Sequence, residues 1–166
     1  LPASAGVAAF QKAEPQDNPI LVTVLLVGAL AVLAINMVAW PFGAAVRRHY
    51  GIKLQWNAGE QLLRLFVMLT SAALLVLFIG HAVVLSSGFS DPWRLDSSLD
   101  EQLKVLQLVG FGGVLGSFFV IVNAIQAWFN PLRGISGRVK ETVVALSCVA
   151  LIWLGWSMNL FDQTLR

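Results

Sequence analysis

The sequence predicts an all-α integral membrane protein, a bundle of four transmembrane helices with the N-terminus and the C-terminus both outside. Three observations carry this. Four apolar stretches, roughly residues 20–40, 62–85, 105–129 and 143–161, fill most of the 166 residues. Each can cross a hydrocarbon core of about 30 Å as a helix rising about 1.5 Å per residue. The charges between them are sorted by sign. Arg47, Arg48, Lys53 and Arg64 separate the first stretch from the second, and Arg133, Arg138 and Lys140 separate the third from the fourth. The remaining connection sets Asp91, Asp96, Asp100 and Glu101 against Arg94 and Lys104. Basic connections stay cytoplasmic, so the chain enters from outside, crosses four times and ends outside. Finally, Trp40, Trp56 and Trp128 fall at the inner face, and Trp93, Trp153 and Trp156 at or towards the outer one, as an aromatic belt requires.

Composition agrees. A hydrophobic content of 57 %, a mean hydropathy of +0.76 and only 12 % charged residues exclude an ordinary soluble domain, which carries about 25 % charge. Residues 19–166 form one transmembrane domain, preceded by an extra-membrane linker over residues 1–18. The net charge of +2 does not point to nucleic acid, because the basic residues sit at membrane edges with no basic patch interleaved with aromatics. The lipid bilayer, with its anionic head groups, is their expected partner. Cys148 stands alone within the fourth stretch, so no intrachain disulfide forms. The chain opens at Leu1 with no signal peptide, and an outside N-terminus needs upstream chain to translocate it. The expectation is a fragment, or a mature product, of a longer protein with an exported N-terminal part.

The elements follow in order. Asp17 or Asn18 caps the first span and Pro19 takes its first helical position. Pro41 removes a backbone donor, so it bends or ends that helix near the head groups, where Trp40 anchors the depth and Arg47 and Arg48 hold the loop inside. Asn57 to Glu60 is a capping-box variant that starts the second helix, and Ser98 to Glu101 does the same for the third. Asn130-Pro131 stops the third helix, Gly134 to Gly137 forms a turn, and Ser136 is the candidate cap of the fourth.

Within the spans no Asp, Glu, Lys or Arg lies deep, which argues against a pump or a carrier of charged solutes. Asn36, Thr70 and Asn123 share a depth near the inner face and form a structural polar layer, with Asn36 and Asn123 bonded to each other or through Thr70. An outer layer holds His81, Gln107 and Asn159. His81 reads as a packing residue, and haem or metal ligation as the alternative has no partner, since His49 lies on the opposite side. Gly112 and Gly116 form a GxxxG pair for helix packing inside the bundle, a homo-oligomer seam being the alternative. No catalytic, cofactor-binding or metal-binding motif is present: there is no GxSxG, HExxH, phosphate loop or SxxK.

The segment Trp40-Pro41-Phe42-Gly43-Ala44-Ala45-Val46-Arg47-Arg48-His49-Tyr50-Gly51, together with Trp153-Leu154-Gly155-Trp156-Ser157-Met158-Asn159-Leu160, resembles the C-terminal membrane domain of beta-lactamase-related serine hydrolases, the CubicO or class C penicillin-binding-protein-like group. The resemblance implies a bacterial inner membrane, periplasmic termini and a catalytic Ser-x-x-Lys lying upstream, so that no residue of this chain inherits a catalytic role. It makes the chain a membrane anchor and scaffold for a periplasmic hydrolase domain, its outer layer contributing to substrate access. The alternatives are a small accessory subunit of a larger membrane complex and, third, a transporter or channel for neutral solutes resting on Asn36, Thr70, Asn123 and Gln126.

Overall fold

The computed structural model describes residues 18–51, 58–90, 97–130 and 134–161. They form four helices: α1 (Pro19–His49), α2 (Ala58–Ser90), α3 (Ser97–Phe129) and α4 (Ile135–Ser157). All four are long and apolar enough to cross a membrane, which makes this a multi-pass membrane protein. Short connections turn successive helices antiparallel. Around the bundle α1 touches α2 and α4, and α3 touches α2 and α4, so α1 and α3 oppose each other across a diagonal. The closest partnership is α2 with α3, while α1 leans more on α4 than on α2.

Helix α1 begins as its sequence dictates. The Asn18 side chain accepts hydrogen bonds from the Ile20 and Leu21 amides, and Pro19 occupies the first turn, where its missing donor costs nothing. Of the two outcomes expected at Pro41, a bend or an end, the end does not occur there. Pro41 lies inside the helix, which runs on to His49, with Arg47, Arg48 and His49 in its last turn. Pro41 removes one backbone donor, and the Ala44–Ala45 run beyond it propagates helix well enough to continue. Termination comes instead at Gly51, whose φ of +65° is the left-handed conformation that glycine adopts freely.

Helix α4 also departs from expectation. It starts at Ile135 with Gly134 as N-cap and no side-chain cap bond, so Ser136 is not its cap. Arg138, Lys140 and Glu141 therefore stand on helix rather than in a loop. Hydropathy ends where lipid ends, whereas backbone hydrogen bonding continues into the head-group layer. The same reason lengthens the others. With 31, 33, 33 and 23 residues, the helices measure about 46, 50, 50 and 35 Å against a core of about 30 Å. The linker through Asp17, the capping side chains of Asn57 and Ser98, and Trp56 and Trp93 lie outside the described residues.

Each helix buries one stripe. It comprises Ala29, Leu33 and Asn36 on α1, and Val67, Thr70, Ser71, Leu74, Leu77, Phe78 and His81 on α2. On α3 it includes Gln107, Ser117, Val120, Asn123, Ala124 and Ala127, and on α4 Val144, Ala145, Ser147, Cys148, Leu151 and Leu154. Steps of three and four residues on every helix mark a seam facing its neighbours. The remaining surface of large apolar residues, from Ile20 to Met158, faces outward, as lipid contact requires. In lipid the drive to associate is van der Waals packing rather than exclusion of water, so close approach decides which helices pair. A Cβ on Gly110 would meet Leu77 at 2.9 Å, one on Gly113 would meet Leu74 at 3.0 Å, and one on Gly116 would overlap the Thr70 side chain. These contacts fix one antiparallel register along α2 and α3.

Candidate functional site

The most organised polar site lies at the basic end of the bundle, where α1 ends, α2 begins, α3 ends and α4 begins. Continuing the buried stripe of α4 back one turn from Val144 and Ala145 reaches Glu141. Continuing that of α3 towards its end passes Asn123. Asn123 Nδ2 donates to Glu141 Oε2 at 2.7 Å. Glu141 is six residues into α4 and Asn123 six residues before the last residue of α3, so both stand about 9 Å from their helix ends. A turn nearer the end, Trp128 Nε1 donates to Thr142 Oγ1 at 3.0 Å, and that hydroxyl donates to the Arg138 carbonyl at 3.0 Å. Two further bonds involve Asn130. Its Nδ2 donates to Glu60 Oε1 of α2 at 3.0 Å, and its carbonyl accepts from Arg138 Nη2 of α4 at 3.2 Å. The arginine thereby satisfies a carbonyl at the α3 terminus, where positive charge also complements the helix dipole. Arg64, one turn beyond Glu60 on α2, brings its buried Nε to the level of Asn123 in the α2–α3 register.

Chemically this is a clasp. Two carboxylates, two carboxamides and the Arg138 guanidinium tie three helix termini together, and each observed carboxylate bond comes from a neutral amide. A small cleft of about 250 Å³, lined by Glu60, Gln126, Phe129 and Asn130, opens beside it. No group of three or more His, Cys, Asp or Glu residues able to hold a metal occurs among the described residues.

The residues expected from sequence separate differently from the expected layers. Asn123 is 1 % exposed, and Glu141, not Asn36 or Thr70, is its partner. For Asn36 the reason is the diagonal between α1 and α3; for Thr70 it is the α2–α3 register, which sets it against Gly116, about 10 Å along α3 from Asn123. Asn36 is 7 % exposed and Thr70 3 % exposed, and neither makes a hydrogen bond with a described residue. Their neighbours behave otherwise: the hydroxyls of Thr23, Ser71, Ser117, Ser147 and Ser157 each donate to a carbonyl three or four residues back.

In the other layer, His81 and Gln107 are each 8 % exposed, and the α2–α3 register sets them level. His81 Nδ1 lies 2.8 Å from the Leu77 carbonyl, so that nitrogen carries the proton and donates it. Asn159 does not join them. It is exposed, with φ of +54°, and forms the left-handed turn that closes α4: its amide donates to the Trp156 carbonyl, and the Leu160 amide to the Gly155 carbonyl. Gly116 packs against α2, but a Cβ on Gly112 meets nothing within 4 Å. Trp40 and Trp128 are 37 % and 52 % exposed near the basic end, where Arg48 is exposed and Arg47 half-buried.

Sequence reasoning missed Glu60, Asn130, Arg138, Glu141 and Thr142. The signal that locates Glu141 is the helical period: 141, 144, 145, 148 and 151 fall on one face. Comparison of the chain with known protein families, with curated proteins and with solved structures finds no match.

Proposed function

We propose that this chain is a membrane anchor and scaffold in a bacterial inner membrane, holding a periplasmic serine hydrolase domain at its N-terminal side. The observation that supports a scaffold over a conduit is the filling of the bundle's middle. Leu33, Leu74, Leu77, Leu151 and Leu154 have no exposed surface and separate the clasp from the level of His81 and Gln107. Tightly packed leucines between two polar layers hold helices in place and leave a polar solute no continuous wet path. The hydrolase itself rests on the resemblance of the Trp40–Gly51 and Trp153–Leu160 segments to beta-lactamase-related membrane domains. An anchor of this kind raises the effective concentration of its domain towards membrane-bound substrates.

Membranes from cells expressing the whole gene, treated with a fluorescent β-lactam or fluorophosphonate, should yield an acylated band larger than this chain. Deleting residues 19–166 should release that band, still labelled, into the soluble fraction. Absence of an acylated product, or its persistence on membranes without the bundle, would overturn the reading.

A further inference from the structure

The basic end of the bundle draws anionic head groups by charge, yet the cleft beside the clasp carries the opposite sign. It encloses about 250 Å³ between the start of α2 and the end of α3, lined by Glu60, Gln126, Phe129 and Asn130. The bond from Asn130 Nδ2 to Glu60 Oε1, 3.0 Å long, turns the carboxylate to the α3 terminus. It is the one hydrogen bond the Glu60 side chain makes with a described residue, which leaves Oε2 for another donor. Gln126 is exposed and its amide bonds no described residue, so its oxygen is a second acceptor. Phe129 beside them is 82 % exposed. On the far side of Asn130, its carbonyl accepts from Arg138 Nη2 at 3.2 Å. A carboxylate and a guanidinium therefore flank one asparagine, and the cleft opens on the carboxylate side. Glu60 is the third residue of α2, and Asn130 follows the last residue of α3. Those two helices exceed the hydrocarbon core by about 20 Å, which places their ends, and the cleft, in the head-group layer.

We propose that this cleft binds a zwitterionic phospholipid by a head group ending in a primary ammonium, with Glu60 and Gln126 accepting its N–H bonds and Arg138 attracting its phosphate. The charges decide between head groups. An anionic one brings a like charge to Glu60, and a trimethylammonium has no N–H to give, whereas a primary ammonium has three. The Phe129 ring adds the attraction of an aromatic side chain for a cation. Spacing agrees with a zwitterion. Two hydrogen bonds and one asparagine separate Glu60 from Arg138, at most about 10 Å. An aminoethyl phosphate measures about 5 Å from nitrogen to phosphate oxygen and adds a hydrogen bond of about 3 Å at each end. The assignment is independent of the anchoring role.

The full chain in detergent micelles, titrated separately with dioleoyl phosphatidylethanolamine, phosphatidylcholine and phosphatidylglycerol and followed by native mass spectrometry, tests it. The ethanolamine lipid should saturate at one per chain, with the other two about threefold to tenfold weaker. Glu60→Gln keeps an acceptor for Asn130 and removes the charge, so it should erase that preference. Phe129→Leu, at a largely exposed position, should weaken the ethanolamine lipid about twofold to threefold while the thermal transition persists. Glu101→Gln, at the opposite end of the bundle, should change nothing. Soluble phosphoethanolamine should bind at least tenfold more weakly than the lipid. Equal binding of the three lipids, tightest binding of the glycerol lipid, or an unaltered preference in Glu60→Gln would each overturn the proposal. So would an equal loss in Glu101→Gln. Phosphoethanolamine binding as tightly as the lipid would make the cleft a solute site and overturn it too.

Discussion

Glu141 and Asn36 make opposite demands on their surroundings, and single substitutions should separate them. Asn123→Leu removes the amide that donates to Glu141 and leaves a carboxylate facing a leucine. Because that bond is charge-assisted, the folded bundle should lose about 1–3 kcal/mol in detergent unfolding. Asn36→Leu removes an amide that bonds no described residue, so stability should hold or rise slightly. The two sites are not coupled, and the double variant should show the sum of the single effects. A deficit shared between them would restore the Asn36–Asn123 pairing expected from depth alone. Depth was legible only roughly, since the α2–α3 register sets Thr70 level with Gly116, about 10 Å along α3 from Asn123. The partner was not, since Glu141 lies outside the hydropathy-defined span and height says nothing about which helices are neighbours.

For the helices, the pairing of α2 with α3 hangs on where small residues fall around α3. The GxxxG spacing marks Gly112 and Gly116 together, yet they serve different surfaces: Gly116 receives the Thr70 side chain and Gly112 opens to lipid. Gly116→Val should therefore cost about 1–3 kcal/mol by forcing α2 and α3 apart, whereas Gly112→Val should leave the unfolding midpoint unchanged. Equal losses at both positions would show that α3 is rotated from the orientation described. Spacing gave the presence of a close helix contact, but register with α2 decides which glycine makes it. Pro41 teaches the same lesson about continuity. Its chemistry removes one donor, and the alanines after it carry the helix on, so Pro41 does not end it.

For the molecule as a whole, the four-helix architecture was readable because twenty-residue apolar runs have few alternatives to crossing a membrane. The helix ends were less readable, as lipid contact and backbone hydrogen bonding stop at different residues. Seven basic residues at or beside one end of the bundle, Arg47, Arg48, Lys53, Arg64, Arg133, Arg138 and Lys140, lead us to expect that end in the cytoplasm. Single cysteines at Ser97 and Gly134 should label from opposite faces of intact cells, Ser97 from outside. Labelling of both from the same face would remove the four-span arrangement. Replacing Arg47 and Arg48 by Glu should scramble insertion of α1. Unaltered orientation in that variant would mean that upstream chain alone directs it.

Because α1 leans mainly on α4, the first of these four spans to leave the ribosome waits for the fourth. The interval between them, about ninety residues, occupies roughly 5–20 s at ordinary rates of synthesis. During that time α1 stands in lipid with little company, and its apolar window is the richest of the four and, even when folded, only 17 % buried. Helix α4 has the least apolar window and the most buried, 39 %. It is the span least suited to entering lipid alone and the one that arrives when its seat, built by α3 on one side and α1 on the other, already exists. A nascent chain ending at Phe129 should accordingly hold α2 against α3 while cysteine cross-links from α1 scatter, and only release of α4 should gather them into a single pattern.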